Sequence, residues 1–231
     1  MSRCSGYAAA FLVALFAVLP RACAQQTIFN VPSADVLERG EVYGELDLTA
    51  RPVAFVFTAT PRVVAGVGGN VEVGLNAGPF AAPGPSGAVL SPTFKWKPLQ
   101  SKSGWSLVVG DTLYFPVAHR QYDAGNQVYA FLAKQWRRGT RVAAGGYEFT
   151  PGVVAGGHRA GGLFTVEHPV TQRVTLAAEW YTGRHAAGYL DVGGVVKVSR
   201  RLTLYACYQL GNTRLTEGNH NLLVEVGYRF R

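Results

Sequence analysis

Five histidines could supply general bases or metal ligands: His119, His158, His168, His185 and His220. Nucleophilic catalysis needs a base within hydrogen-bond reach of the nucleophile and a third group that orients the base. No Ser or Asp stands at a suggestive spacing from any of these histidines, and no Gly-x-Ser-x-Gly motif is present. Because His-x-x-x-His pairs and clustered cysteines are also absent, the sequence predicts no catalytic, metal or cofactor site.

Acidic residues offer a different chemistry, because many of them lie in stretches where apolar and polar residues alternate. These acids are Glu45, Asp47, Glu72, Asp111, Glu148, Glu167, Glu179, Asp191 and Glu225. Successive residues of a β-strand face opposite sides, so we expect such acids to share one polar face of a sheet. In a closed barrel that face lines the lumen. The predicted charged lumen residues are Glu45, Asp47, Arg62, Glu72, Lys95, Lys97, Glu148, Glu167, Glu179, Asp191, Lys197, Glu225 and Arg229.

The alternation is clearest in the C-terminal run NHNLLVEVGYRFR at 219–231. Its even-numbered positions from Leu222 to Phe230 are apolar, while most of the intervening residues are polar or small. Similar runs recur from Glu41 onward and predict about twelve strands. Ten is the alternative, because the region 53–60 and the run that begins at Trp105 are weakly patterned.

The connections between these runs alternate in character. Gly68-Gly69-Asn70 predicts a tight hairpin, since Gly and Asn tolerate positive φ, and short turns are also expected at 137–139 and 199–201. Longer polar or Gly/Pro-rich loops are predicted at 79–87, 118–126, 151–159 and 212–218. This pattern predicts an all-β fold: a closed, antiparallel, up-and-down barrel that spans a membrane.

Composition supports a membrane barrel over the soluble alternative. Charged residues make up 16% of the chain, below the roughly 25% of soluble domains. A soluble β-sandwich or lipocalin-like barrel would have to place its strand acids outward. Aromatic residues near strand ends predict two interfacial girdles; these are Trp96, Trp105, Trp136, Tyr147, Phe149, Tyr228 and Phe230. The net charge of +8 is scattered without interleaved aromatics, so no nucleic-acid partner is expected.

The N-terminus has the pattern of an export signal. Arg3 precedes an apolar stretch at 8–19, and Ala22-Cys23-Ala24 gives a small-x-small cleavage pattern. We predict a signal peptide at 1–24, with lipidation at Cys23 as the alternative. Residues 25–40 do not alternate; they form a periplasmic segment that folds into or caps the barrel mouth, or else a flexible leader. The barrel is predicted to occupy 41–231.

The signal end at Ala22-Cys23-Ala24, the repeated hairpins and the closing run VEVGYRF at 224–230 resemble outer-membrane β-barrel proteins of Gram-negative-type bacteria. Tyr228 and Phe230 match the aromatic-x-aromatic end that the barrel assembly machinery recognises in this class. The chain departs from that signal at Glu225, where Gly is frequent, and at Arg231, which follows the last aromatic residue. The resemblance implies an outer-membrane location, with membrane lipid and the assembly machinery as partners and both termini periplasmic; it assigns no oligomeric state.

The main functional hypothesis is a narrow or largely occluded pore or transporter for small hydrophilic solutes, since charged walls can select solutes. Two alternatives remain. One is a structural or surface-interaction barrel that acts through its outer loops. The other is an envelope lipid-modifying hydrolase, for which the histidines would have to assemble a catalytic centre.

Overall fold

The computed structural model describes residues 26–52, 54–82, 88–118, 123–154, 157–213 and 220–230. These residues form thirteen β-strands. No helix in the described part of the chain is long and apolar enough to cross a membrane. The strands are β1 (Val42–Arg51), β2 (Val56–Gly68), β3 (Val71–Gly78), β4 (Phe80–Ala82), β5 (Val89–Gln100), β6 (Trp105–Pro116), β7 (Gly125–Gln135), β8 (Arg141–Phe149), β9 (Ala160–Pro169), β10 (Val174–Tyr181), β11 (Tyr189–Lys197), β12 (Leu202–Gly211) and β13 (His220–Arg229).

All strands except β4 make up the wall of a closed barrel of twelve strands. Neighbours in sequence pair antiparallel around the sheet, and β1 pairs both with β2 and with β13. In the β1–β13 seam Asp47 lies opposite Glu225 and Glu45 lies opposite Gly227. Closure pairs the two sheet edges with each other. The predicted all-β, antiparallel, up-and-down fold is therefore confirmed, with twelve strands in the wall rather than ten.

The extra strand β4 corrects the predicted loop at 79–87. Gly78, with a φ of 122°, and Pro79 interrupt the strand after β3. The chain then resumes pairing with β2, where Ala82 lies opposite Phe57. Because this region is rich in Gly and Pro, the sequence predicted a loop and did not indicate these three residues as a strand. Residues 83–87 lie outside the described residues.

The connections differ between the two ends of the barrel. At one end, called here the turn end, strands are joined at 69–70, 101–104, 136–140, 170–173 and 198–201. The connections at the opposite, loop end are 52–55, 83–88, 117–124, 150–159, 182–188 and 212–219. The predicted hairpin is confirmed, since Gly68, Gly69 and Asn70 all have positive φ. β1 begins and β13 ends at the turn end.

The two faces of the wall differ in the way that alternation predicts. In β13, Asn221, Leu223 and Glu225 are buried, while Leu222 and Val224 are exposed. The same alternation runs through most of the other strands, so apolar side chains cover the outside of the wall. Exposed tryptophans occur near the turn end, at positions 96, 105 and 136, and Phe230, which follows β13, lies at the same end of the barrel.

Strands β8 and β6 overturn part of the assignment based on acids. Glu148 is exposed, and Tyr147 and Phe149 are buried rather than part of a girdle. Asp111 lies on the outer face of β6, like the exposed Leu113 two residues later. Its carboxylate accepts two hydrogen bonds of 3.1 Å from the side-chain amide of Asn126. Glu148 stands one residue from the end of β8, close to the loops. A charge costs little near the polar rim of such a wall, so an acid at a strand end does not mark the inner face.

Candidate functional site in the barrel lumen

Residues 26–40, which we call the plug segment, enter the barrel: 26–37 are buried or half-buried inside it, and 38–40 are exposed where the chain joins β1. Side chains from β2, β5, β8 and β10 hydrogen bond to this segment from different sides of the wall. Five of its apolar residues are almost completely buried, while Val36 is half-buried; the five are Ile28, Phe29, Val31, Ala34 and Leu37. This is the first of the two placements that the sequence left open for this segment.

The plug segment begins with a tight turn. The backbone N–H of Ile28 donates to the carbonyl of Val31 at 2.9 Å, and that of Ser33 donates to the carbonyl of Gln26 at 3.1 Å. Thr27 and Pro32 form an isolated β-bridge between the two arms. The turn presents its central backbone N–H groups outward, where they need acceptors from the wall.

Glu179 of β10 supplies those acceptors. Its carboxylate accepts hydrogen bonds from the backbone N–H groups of Phe29 at 3.2 Å, Asn30 at 2.5 Å and Val31 at 2.9 Å. Asp191, opposite Glu179 in β11, accepts a 2.7 Å bond from the side-chain amide of Asn30. Together Glu179 and Asp191 satisfy three backbone N–H groups and one side-chain amide of the turn, which makes them its first polar anchor.

A second anchor lies across the lumen on β3 and β5. Lys95 and Glu72 form a buried ion pair of 3.0 Å. The ammonium group of Lys95 also donates to the carbonyl of Gln26 at 3.3 Å, while Glu72 accepts the backbone N–H of Leu37 at 3.2 Å. Each member of the pair thus also binds the backbone of the plug segment.

A third anchor joins the plug segment to β8 and β9. Arg141 contacts Asp35 at 2.8 Å and Glu167 at 2.7 Å. Burial by itself raises the pKa of Asp35, but the neighbouring Arg141 guanidinium outweighs it and holds the pKa below its ordinary value of 3.8. Asp35 is therefore ionised at neutral pH, and the Arg141 contact is a true ion pair.

Apolar contacts complete the packing. Ile28 and Phe29 belong to a cluster with Tyr205, Cys207 and Leu223 on the wall. Val31 and Ala34 pack in a larger aromatic cluster on the opposite side, and Leu37 packs with Tyr43 and Val64. The plug segment is thus held by three polar anchors, one of them an ion pair, and by three apolar contacts.

Two cavities remain beside the plug segment. The smaller, of about 160 Å³, is lined by polar groups that include Arg62, Asn76 and Gln127, and by tyrosine rings. The larger, of about 640 Å³, opens toward the turn end and is lined by Asp35, Arg141 and the turn at 136–139 among others. The plug segment contributes residues to the lining of both.

The predicted lumen residues fall into three groups. Buried are Glu45, Asp47, Glu72, Lys95, Glu179, Asp191 and Glu225. Half-buried are Arg62, Lys97, Glu167, Lys197 and Arg229. Glu148 alone is exposed and points outward. Arg229 pairs with Glu41 at 2.9 Å near the turn end, and Arg62 pairs with Asp47 at 2.5 Å.

Sequence reasoning missed Asp35, Arg141 and Tyr43. Arg141 has the same strand parity as Tyr147 and Phe149, so the charge at the start of β8 was a usable signal for the inner face. Asp35 carried no signal, because it lies in a segment without periodicity. The pairing of the closing strand with the first strand, by contrast, was readable from the sequence, and it brings Glu225 next to Glu45 and Asp47.

The histidines form no catalytic centre among the described residues. His158, His168 and His220 are exposed, and His119 lies outside the described residues. His185 is buried in the 182–188 loop. Its Nδ1 accepts the backbone N–H of Ala187 at 3.2 Å and its Nε2 lies 2.5 Å from the Tyr147 hydroxyl.

Burial lowers the pKa of His185 below its ordinary value of 6.5, so the ring is neutral at pH 7. The Tyr147 hydroxyl donates in turn to the carbonyl of Thr182. His185 therefore fixes the 182–188 loop over the lumen by hydrogen bonds, which is a structural role.

Comparison with solved structures relates this fold to a known one. An outer membrane channel from Pseudomonas putida F1 superposes with a TM-score of 0.55, covering 87% of this chain and 100% of that one at 12% sequence identity. The two proteins share a fold. No protein-family model and no curated protein sequence matches the chain.

Proposed function

We propose that this chain is an integral outer-membrane barrel that forms a narrow pore for small hydrophilic solutes, with the plug segment as its movable gate. The observation that carries the proposal is the plug segment itself, which occupies the lumen and is bound largely through polar groups. Hydrogen bonds and ion pairs can be exchanged for solute or water, so this attachment suits a gate better than a fully apolar core would.

The outer surface supports the membrane location. Apolar side chains cover the wall, and a Lys or Arg facing lipid at mid-bilayer would cost ~2–4 kcal/mol. Short turns are typical of the periplasmic end of such barrels, so both β1 and β13 would meet the periplasm at the turn end. Tyr228 and Phe230, exposed at the end of β13, suit recognition by the barrel assembly machinery.

The size of the smaller cavity supports small solutes. The cavity of about 160 Å³ beside the plug segment is smaller than the ~300–1,000 Å³ of pockets for drug-sized ligands. Its lining of amides, hydroxyls and charged groups favours a hydrophilic solute. Passage between this cavity and the larger one at the turn end requires the plug segment to shift.

Electrical recording in planar bilayers tests the proposal. Glu179→Gln keeps the shape of the side chain but replaces one of the two oxygens that accept the three backbone N–H groups by an NH2 group, which cannot accept; a buried donor left unsatisfied costs ~1–3 kcal/mol. We expect this variant to show a larger open fraction than the wild type. Glu148→Gln, the same change on the outer face, should behave like the wild type.

The lone cysteine of the described residues gives an independent readout of gate position. Cys207 points inward, is 6% exposed and packs with Ile28 and Phe29. We expect a water-soluble maleimide to label it faster in Glu179→Gln than in the wild type. The pore is refuted if three pure refolded proteins are all electrically silent: the wild type, Glu179→Gln and a variant without residues 26–37.

A further inference from the structure

Three carboxylates from the barrel seam converge inside the wall. Asp47 of β1 lies directly opposite Glu225 of β13, and Glu45 follows on the same face of β1. One carboxylate oxygen from each residue lies within 4.8 Å of those of the other two. All three residues are buried, and Glu225 has no exposed surface.

Several oxygens of this group accept no hydrogen bond from the described residues. Tyr43 donates to Glu45 Oε2 at 3.1 Å, and Arg62 binds Asp47 Oδ2 at 2.5 Å. The oxygens left over are Glu45 Oε1, Asp47 Oδ1 and both carboxylate oxygens of Glu225. Buried polar groups are normally satisfied, so four such acceptors at one place call for a partner of positive charge.

The charge of the group points the same way. Arg62 is the cation in contact with the group, at 2.5 Å from Asp47 and 4.0 Å from Glu45. It balances one of the three carboxylates, so two negative charges would remain unpaired in this buried site if all three residues were ionised. Burying unpaired charges is costly, and a divalent cation would bring the sum to zero.

We propose that Glu45, Asp47 and Glu225 bind one calcium ion at the β1–β13 seam. Hard oxygen ligands select Ca²⁺ or Mg²⁺ over transition metals. Ca²⁺ accepts oxygens at ~2.3–2.6 Å in flexible geometry, whereas Mg²⁺ demands ~2.0–2.1 Å and retains several waters. A dry site with carboxylates up to 4.8 Å apart fits the larger ion.

The site connects the seam to the plug segment through one residue. Arg62 donates to the Thr27 hydroxyl at 3.0 Å while it pairs with Asp47. The ion therefore stabilises the barrel at its closure and fixes the arginine that holds the start of the plug segment. This role does not depend on whether the barrel conducts.

Terbium luminescence tests the proposal on the full mature chain, refolded in detergent and freed of metal with a chelator. Tb³⁺ replaces Ca²⁺ at oxygen sites, and the Tyr43 hydroxyl, 3.1 Å from Glu45, would sensitise its emission. We expect saturable emission at one ion per chain, reversed by Ca²⁺ and far less readily by Mg²⁺. Glu225→Gln should weaken binding at least tenfold.

Glu148→Gln is the matched control, because it makes the same change at an exposed glutamate, and it should bind like the wild type. If Glu225→Gln fails to give the folded, heat-modifiable gel band, Glu45→Gln replaces it. The proposal is overturned if the wild type binds no Tb³⁺ saturably, or if Mg²⁺ competes as well as Ca²⁺. The proposal is also overturned if the folded glutamate-to-glutamine variant of the site binds Tb³⁺ as tightly as the wild type. Infrared spectra give a further outcome that would overturn the proposal. It is a protonated-carboxyl band that is present in both the metal-free and the calcium-loaded protein and that disappears in Glu225→Gln.

Discussion

At the scale of single residues, the lumen is built from acids whose partners lie far away in sequence. Glu179 binds the backbone of residues 29–31, and Arg141 joins Asp35 to Glu167. The alternation within its strand is the only feature of the sequence that predicts Glu179 to face the lumen. It does not indicate that the carboxylate binds the N-terminal segment, because that contact spans about 150 residues.

The ion pair between Asp35 and Arg141 gives the proposed gate a predictable dependence on pH. The folded-state pKa of Asp35 lies below its ordinary value of 3.8, so the pair stabilises the plugged state fully above that value. This contribution is lost as the pH falls through the lowered pKa. Asp35→Asn should therefore increase the open fraction at pH 7.

Conductance recorded against pH checks this prediction. The difference between Asp35→Asn and the wild type should be constant from pH 5 to pH 7 and should shrink below about pH 4. Glu148→Gln serves as the control for a lost exposed carboxylate. A wild type and a variant with equal open fractions at pH 7 would show that Asp35 does not hold the gate.

At the scale of structural elements, the seam depends on one position without a side chain. Gly227 of β13 lies opposite Glu45, and a Cβ at this position would fall 1.6 Å from the Tyr43 hydroxyl. That hydroxyl is already bound to Glu45 and to Tyr205. The absence of a side chain at 227 thus lets Tyr43 lie across the seam.

Gly227→Ala should destabilise the barrel by about 1–3 kcal/mol, because the added methyl group must displace the buried Tyr43 ring. The measurement is the midpoint temperature at which the folded gel band disappears. Gly194→Ala in β11 is the control, since its Cβ would meet nothing closer than 3.4 Å. Equal midpoints for the two variants would contradict this account of the seam.

The alternation of apolar and polar residues predicted the strands well, and the two acids that it placed on the wrong face have a common explanation. Glu148 and Asp111 break the assumption that a strand acid faces the lumen. Glu148 lies at a strand end, and Asp111 is hydrogen bonded to Asn126 on its own face, so neither is an uncompensated charge in an apolar layer. Alternation reports which residues share a face, not which medium that face contacts.

At the scale of the whole molecule, the proposed membrane location makes the outer wall intolerant of charge. Val224 lies midway along β13 and is 44% exposed. Val224→Lys should reduce the folded, membrane-inserted fraction strongly, because a lysine facing mid-bilayer lipid costs ~2–4 kcal/mol.

Membrane fractionation with heat-modifiable gel mobility measures that fraction. Glu148→Lys at the loop end is the control and should insert nearly normally, since the cost falls to ~0–1 kcal/mol near the interface. A Val224→Lys protein that folds as well as the wild type, and does so in water without detergent, would indicate a soluble barrel instead.

The sequence by itself determined the wall of this protein. Period-two alternation, turn residues such as Gly68-Gly69-Asn70 and the closing run at 219–231 are local signals, and they specify strands, hairpins and an even strand count. Those signals are readable because each strand must present one face to the inside and one to the outside.

Only the tertiary structure decided what fills the lumen. The plug segment has no periodicity, and its placement depends on anchors from β2, β5, β8 and β10 that meet only when the sheet closes. The convergence of Glu45, Asp47 and Glu225 likewise exists only because β1 pairs with β13. Closure brings the two ends of the barrel sequence into register, and no local pattern encodes the distance between side chains that are so far apart along the chain.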